Sequence, residues 1–256
     1  MIKAVTFDLW DTMVHDDSDE PKRAAQGLRS KREERRHLLW EALQESAGGA
    51  FEAPDLARVT LAYDVADAGF NLVWKENHIN WTLEQRLRVV LTGLGLGLPT
   101  ARFRKLVEDT GRMEVDIPPD PIAGIGDALA ELATRYKLAV VSDAIVTPGS
   151  GLRAILEGHG LKRHFSAFAF SDEVGHSKPH RAMFDHVARD LGIGVDEIVH
   201  IGDRDHNDVK GPQALGAKAI LFTASRPHDK DNTTADALCN AHADLPAIVD
   251  RLAGRS

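Results

Sequence analysis

The chain has 256 residues, 43% hydrophobic and 27% charged, a globular balance large enough for one big core or two ordinary ones. Its formal charge of −8 lacks the basic excess of a nucleic-acid binder, and its single cysteine, Cys239, excludes an intrachain disulfide framework. No apolar run nears the ~20 residues that span a bilayer, and the opening "MIKAVTF" enters a strand with no room for a signal peptide. A cytoplasmic setting with no membrane or nucleic-acid partner is expected, while oligomeric state leaves no trace in the sequence.

The first predicted strand covers residues 2–9 and runs into Asp8, Trp10 and Asp11. A carboxylate at the tip of an apolar strand is unfavourable to desolvate unless something pairs with it. From about Glu20 to Glu114 no strand is predicted, but four segments carry helical periodicity. "RSKREERRHLLWEALQESAGG" offers an apolar face through Leu28, Leu39 and Leu43 and a stop at Gly48–Gly49. "PDLARVTLAYDVADAGFNLVWKEN" follows, then "TLEQRLRVVLTGLGL" with Thr82 as N-cap, then "TARFRKLVEDTGRM" from Thr100. These four form an expected helical bundle inserted after the first strand. Its basic run "RSKREERRH" is expected to be a solvated helix face, its Trp40, Trp74 and Trp81 to fill the bundle core, and His15 to belong to the linker.

The turn "IPPDP", residues 117–121, ends the bundle. Beyond it helices alternate with short apolar strands: "KLAVVSD", "FSAFAFSDE", "EIVHIGD" and "AKAILFT", then a last short strand and helix. The stretch "NDVKGPQALG" is predicted helical, and "SRPHDKDNTT" an exposed loop. Such alternation predicts an α/β fold, a Rossmann-like parallel sheet with helices on both faces. The expected division is a core of residues 1–15 and 117–256 and a helical insert of residues 16–116. In such sheets ligands bind beyond the carboxyl ends of the strands. Those ends carry Asp8, then Ser142 and Asp143, then Asp172 and Glu173, then Gly202 and Asp203.

Four of these stretches resemble, in order, the motifs of the haloacid dehalogenase superfamily: "FDLWDT", "VVSDA", "SKPHRAMF" and "HIGDRDHNDVKGPQALGAKAI". The resemblance covers nearly the whole chain and implies a helical cap domain for the insert. It also implies a hydrolase in which Asp8 is the nucleophile, Ser142, Asp143 and Lys178 bind phosphate, and Ser142 and Lys178 assist catalysis. Asp8, the backbone oxygen of Trp10, Asp203 and Asp208 would then hold Mg²⁺, which suits hard oxygen ligands and a substrate phosphate. The partner implied is a small phosphorylated molecule. Asp205 and His206 are expected to be solvated loop residues.

One departure matters. Phosphatases of the family usually carry a second Asp two residues after the nucleophile, where this chain has Trp10; Asp11 stands where the family often has Gly. With a period of two, Asp11 points away from Asp8. Loss of a positioned acid/base typically forfeits about 10²- to 10⁴-fold in rate. Trp10 therefore implies a slow phosphatase, a preference for good leaving groups, or an acid/base supplied by Asp143 or the cap. It also admits two alternatives: a metal-independent 2-haloacid dehalogenase-like hydrolase, opposed by the otherwise unexplained Asp203/Asp208 pair and by repulsion from Asp143, and a non-catalytic binding protein of the same fold.

Overall fold

A computed structural model describes residues 1–47 and 51–255; the helix stop expected at Gly48–Gly49 lies outside the described residues. Six strands, β1 (Ala4–Phe7), β2 (Lys137–Ser142), β3 (Ala167–Phe170), β4 (Ile198–Gly202), β5 (Lys218–Phe222) and β6 (Ala237–Cys239), form one sheet in the order β3-β2-β1-β4-β5-β6. All pairs are parallel, and Val5 at the centre lies opposite Leu138 on one side and Val199 on the other. The central strands β1 and β4 are buried on both faces, which is why they read as continuous apolar runs, whereas the edge strand β6 exposes Leu238. β1 is shorter than its apolar run, yet the Asp8 N–H still bonds the Ile201 carbonyl at 2.8 Å and holds Asp8 at the sheet edge.

The helices in chain order are α1 (Glu20–Ala25), α2 (Lys31–Ser46), α3 (Leu56–Asn77), α4 (Leu83–Leu94), α5 (Thr100–Gly111), α6 (Met113–Asp116), α7 (Ile125–Leu132), α8 (Gly149–Gly158), α9 (Ser171–Val174), α10 (Arg181–Leu191), α11 (Gly211–Ala214) and α12 (Leu245–Leu252). One sheet face packs on α7, α8 and α12 through Ile125, Leu129, Leu152, Ile155, Leu245 and Val249. The other packs on α10 through Met183, Phe184, Val187 and Leu191. Between β1 and β2 the insert builds its own apolar cluster from α2, α3, α4 and α5, with Leu39, Leu43, Tyr63, Leu87 and Leu106 at its centre. Capping fixes its helix starts: Ser30 with Glu33 and Thr82 with Gln85 form reciprocal capping boxes, and Asp55 accepts from the Arg58 N–H.

Three expectations for the helices need correction. Leu28 precedes α2 and is exposed, so it is not on that helix's apolar face. The basic run is not a solvated face: Lys31 and Arg36 are buried, Lys31 beneath Asp17, Asp19 and Glu114, and Arg36 against Asp64 and Asp67. Both lysine and arginine find their partners on other elements, which a charge run does not reveal. Finally, residues 205–210 wind as a wide π-helical turn before α11 instead of one helix. Pro212 has no N–H to continue the ordinary ladder, and the Gly211 N–H reaches back five residues to the His206 carbonyl.

Candidate active site

The carboxyl ends of β1, β2 and β4 and the loop before α10 converge. Asp8 follows β1, Ser142 ends β2, Asp203 follows β4, Asp208 stands on the π-turn, and Lys178 lies in the loop between α9 and α10. The Lys178 ammonium sits 2.7 Å from Asp8 Oδ1 and 2.6 Å from Asp208 Oδ1. The Ser142 hydroxyl donates to Asp8 Oδ1 at 2.8 Å, and the Lys178 backbone N–H donates to Asp143 Oδ1 at 3.0 Å. Every one of these side chains is buried. Asp172 and Glu173, after β3, are not brought in: Asp172 accepts from the Gly149 N–H and Glu173 pairs with Arg153.

Asp208 is held by a chain that the sequence reading missed. The Thr6 hydroxyl lies 2.8 Å from His200 Nδ1, and His200 Nε2 lies 3.2 Å from Asp208 Oδ1. Burial keeps the His200 pKa low, so the ring is neutral. A carboxylate can only accept; Nε2 therefore carries the proton and Nδ1 accepts from Thr6. The Arg204 N–H adds a bond to Asp208 Oδ2 at 3.0 Å, and Gly202 is required because a Cβ there would overlap the Asp208 carboxylate. A polar pair facing across adjacent apolar strands, Thr6 opposite His200, was the available signal.

The electrostatics separate the carboxyls. Burial opposes ionisation of Asp208, but Lys178 and His200 outweigh it and hold its pKa low. Asp143 is pushed up to about 7 by burial, which outweighs Lys178. Asp203 is raised by burial and by repulsion from Asp8 and Asp208. Lys178 itself is raised: burial penalises its charge, but Asp208, Asp8 and Asp143 prevail. Asp8, Asp203 and Asp208 offer oxygens within 4.8 Å of one another, a set able to hold a metal ion. Asp203 Oδ2 is buried with no hydrogen-bond partner among the described residues; Arg226 and Arg204 approach it only to 3.5 and 3.7 Å. An orphaned buried oxygen beside two more carboxylates fits a cation.

A cavity of about 190 Å³ opens over this edge. The sheet side contributes Asp8, Trp10, Asp143, Lys178, Arg204 and Asp208; the insert side contributes Asp16, Asp17, Lys31, Arg35, Trp74 and Glu114. Trp74 is thus a wall of the cavity and not bundle core, whereas Trp40 packs on the bundle cluster and Trp81 lies by Phe70. The Trp10 indole donates to the Asp143 carbonyl at 3.2 Å. Asp11 has φ +52°, a left-handed backbone that glycine adopts without strain, and its side chain accepts from the Asp16 N–H, turned to the linker. His15 is exposed, its N–H bonded to the Asp120 carbonyl, as a linker residue. Asp205 is no solvated residue: it is buried and paired with Lys210 at 2.6 Å, while His206 is exposed. No helix among the described residues is long and apolar enough to cross a membrane.

Comparison with known proteins agrees with this geometry. The family model for haloacid dehalogenase-like hydrolases matches residues 2–216. The human haloacid dehalogenase-like hydrolase domain-containing protein 3 is 31% identical over 130 residues, 50% of this chain and 49% of that protein. A phosphoserine phosphatase of Thermus thermophilus is 34% identical over 133 residues, 51% of each chain. The chain thus spans about half the length of these curated relatives. A 5-amino-6-(5-phospho-D-ribitylamino)uracil phosphatase of Escherichia coli is 26% identical over 90% of this chain and 86% of its own. Among solved structures, a 2-haloacid dehalogenase from Pseudomonas syringae superposes with TM-score 0.69 at 20% identity, covering 98% of this chain and 100% of its own. A HAD phosphatase from Thermococcus onnurineus gives TM-score 0.64 at 20% identity over 97% and 98%. At such identities the structural likeness speaks for the fold alone. With the family's fold and its four motifs at the sheet edge, the chain belongs to the haloacid dehalogenase-like hydrolases.

Proposed function

We propose that this hydrolase is a Mg²⁺-dependent phosphatase of small phosphorylated molecules, with Asp8 as the nucleophile. The observation that carries this reading is Asp203: a buried carboxylate with an unpartnered oxygen, beside Asp8 and Asp208. A carbon-attacking dehalogenase would leave that group without a purpose, although Trp10 suits one. Asp143 argues less against a haloacid than its formal charge suggests, because burial keeps its carboxyl protonated up to about pH 7.

Asp8, Asp203, Asp208 and the Trp10 carbonyl would hold the ion, and when bound it neutralises phosphate charge. Asp8 attacks phosphorus in line and forms an aspartyl-phosphate. The Ser142 hydroxyl turns from Asp8 to a phosphoryl oxygen, and Lys178 offsets the spreading negative charge as a point cation. The neutral His200 fixes Asp208 without adding a charge. Residues 1–15 and 117–256 form the catalytic core in this reading, and residues 16–116 the cap that closes over substrate. Phosphatases among the relatives support a phosphate ester as substrate class.

The test is hydrolysis of 4-nitrophenyl phosphate with Mg²⁺ and with EDTA. Wild-type turnover should require Mg²⁺, and Asp8→Asn should lower it by about 10⁴-fold or more. Metal-independent turnover, or turnover that survives Asp8→Asn, refutes the proposal.

A further inference from the structure

If Asp8 attacks phosphorus, the leaving oxygen needs a proton, and the position two residues on is an indole bonded to the Asp143 carbonyl. In-line displacement puts the leaving group opposite Asp8, on the insert side of the cavity. A proton donor must therefore stand on that wall. Its carboxyls are Asp16, Asp17 and Glu114. Asp17 is paired with Lys31 at 2.9 Å, and Glu114 with Lys31 at 2.8 Å while it accepts from the Thr147 hydroxyl at 2.5 Å. Asp16 has no ion pair among the described residues and accepts only the Asp17 N–H, at 3.0 Å, on Oδ1. Asp143 stands on the opposite wall, its Oδ1 engaged by the Lys178 N–H.

We propose that Asp16 is the general acid/base of this enzyme, supplying from the mouth of the cap the group that Trp10 displaced. This rests on the phosphatase reading. In the first half-reaction the Asp8 carboxylate forms the bond to phosphorus, the bond from phosphorus to the ester oxygen breaks, and the Asp16 carboxyl gives that oxygen its proton, releasing the alcohol. In the second, Asp16 carboxylate takes a proton from water as the water oxygen bonds phosphorus. The bond between phosphorus and Asp8 breaks, inorganic phosphate leaves, and Asp8 carboxylate and Asp16 carboxyl are restored.

The charged groups around Asp16 suit both roles. Loss of water around the carboxyl at the cleft wall, then repulsion from Asp17, Asp11 and Glu114, outweighs Lys31 and pushes it up to about 6, while the residue as a whole stays exposed at the cavity mouth. Arg204 faces it from the β4 side. A carboxyl in that range is protonated often enough to donate and ionised often enough to accept.

Asp16→Asn keeps the shape and the Oδ1 acceptor but has no proton to give. With 4-nitrophenyl phosphate, whose phenolate leaves unaided, the variant should release one equivalent of nitrophenolate in a burst. It should then turn over about 10²-fold slower than wild type, because the aspartyl-phosphate waits for a base. With propyl phosphate there should be no burst and a loss of at least about 10²-fold. The wild-type pH limb near 6 should disappear, and Asp16→Glu should recover at least about tenfold of the activity. Turnover within about threefold of wild type on both esters overturns the assignment. So does a burst seen in Asp143→Asn and not in Asp16→Asn, which places the base on the sheet side. Absence of any Asp8-dependent turnover in the wild type overturns the phosphatase reading itself, and this assignment with it.

Discussion

Lys178 at the sheet edge and Lys31 at the base of α2 are each buried beneath several carboxylates, yet their surroundings differ. Lys31 bonds Asp17, Asp19 and Glu114 at 2.8–2.9 Å, and the Asp17 side chain is 70% exposed, so water shares the excess negative charge. Asp19, fully buried, bonds through Oδ1 and leaves Oδ2 without a hydrogen-bond partner among the described residues, while Glu114 has Thr147. Around Lys178 no carboxylate has that outlet: Asp8, Asp143, Asp203 and Asp208 are all at most 7% exposed, and Asp203 Oδ2 has no hydrogen-bond partner among the described residues, only Arg226 and Arg204 at 3.5 and 3.7 Å. Repulsion between buried like charges is relieved by protonation or by a counter-ion. The Lys31 cluster therefore reads as an anchor between the linker, α2 and α6, and the sheet-edge cluster suits the cation proposed for it.

Replacing each lysine by methionine separates the two. Removing one partner of a buried ion cluster typically destabilises by about 3–5 kcal/mol, and both Lys178→Met and Lys31→Met should lose about that in EDTA. Mg²⁺ should restore part of the loss in Lys178→Met, by supplying a cation to the same carboxylates, and should stabilise Lys31→Met no more than it does wild type. Urea titrations with EDTA and with Mg²⁺ measure this. Equal Mg²⁺ increments in the two variants would erase the distinction. Lys178→Met should also lose at least about 10³-fold in turnover, as expected for a charge placed at the transition state.

A smaller effect concerns pH. Asp203 is raised by burial and its two neighbours, and Asp143 is raised to about 7 by burial. In the unfolded chain both release their protons near 3.8, so between about pH 4 and 7 the folded state binds more protons than the unfolded. Stability in EDTA should therefore fall as pH rises through that window, by a few kcal/mol at about 1.4 kcal/mol per unit. Asp208, held low by Lys178 and His200 despite its burial, acts oppositely and only below about pH 4. Mg²⁺ should remove the Asp203 share and leave that of Asp143. A stability profile from pH 4.5 to 7.5 with the same slope with and without Mg²⁺ would contradict this.

The sheet-edge cluster was legible in the sequence and the Lys31 cluster was not, for a physical reason. Parallel strands buried on both faces announce themselves as apolar runs, and Asp8, Ser142 and Asp203 interrupt those runs at their ends. Asp208 and Lys178 came with the family's motifs. Lys31 shows no such signal, because its partner Glu114 lies 83 positions away and only the packed insert brings it near. Trp74 and Asp16 were equally silent: what places them in the cavity is how the insert folds over the sheet. The π-turn that aims Asp208 has no compositional signature beyond Pro212 and reads from sequence as an ordinary helix.

The smallest expected effect tests the role of water at the Lys31 cluster. Asp17 pairs with Lys31 but is 70% exposed, and an ion pair to so solvated a carboxylate contributes about 0–1 kcal/mol. Its backbone has φ +58°, a left-handed conformation that asparagine adopts readily, so Asp17→Asn adds no strain. The substitution removes one charge from an acidic cluster, and Asp19 and Glu114 still hold the ammonium. Stability should therefore change by less than about 1 kcal/mol, and the Mg²⁺ increment should match that of wild type. A loss above about 2 kcal/mol would mean that Asp17, and not solvent, carries the balance around Lys31, and the two lysine clusters would then be alike.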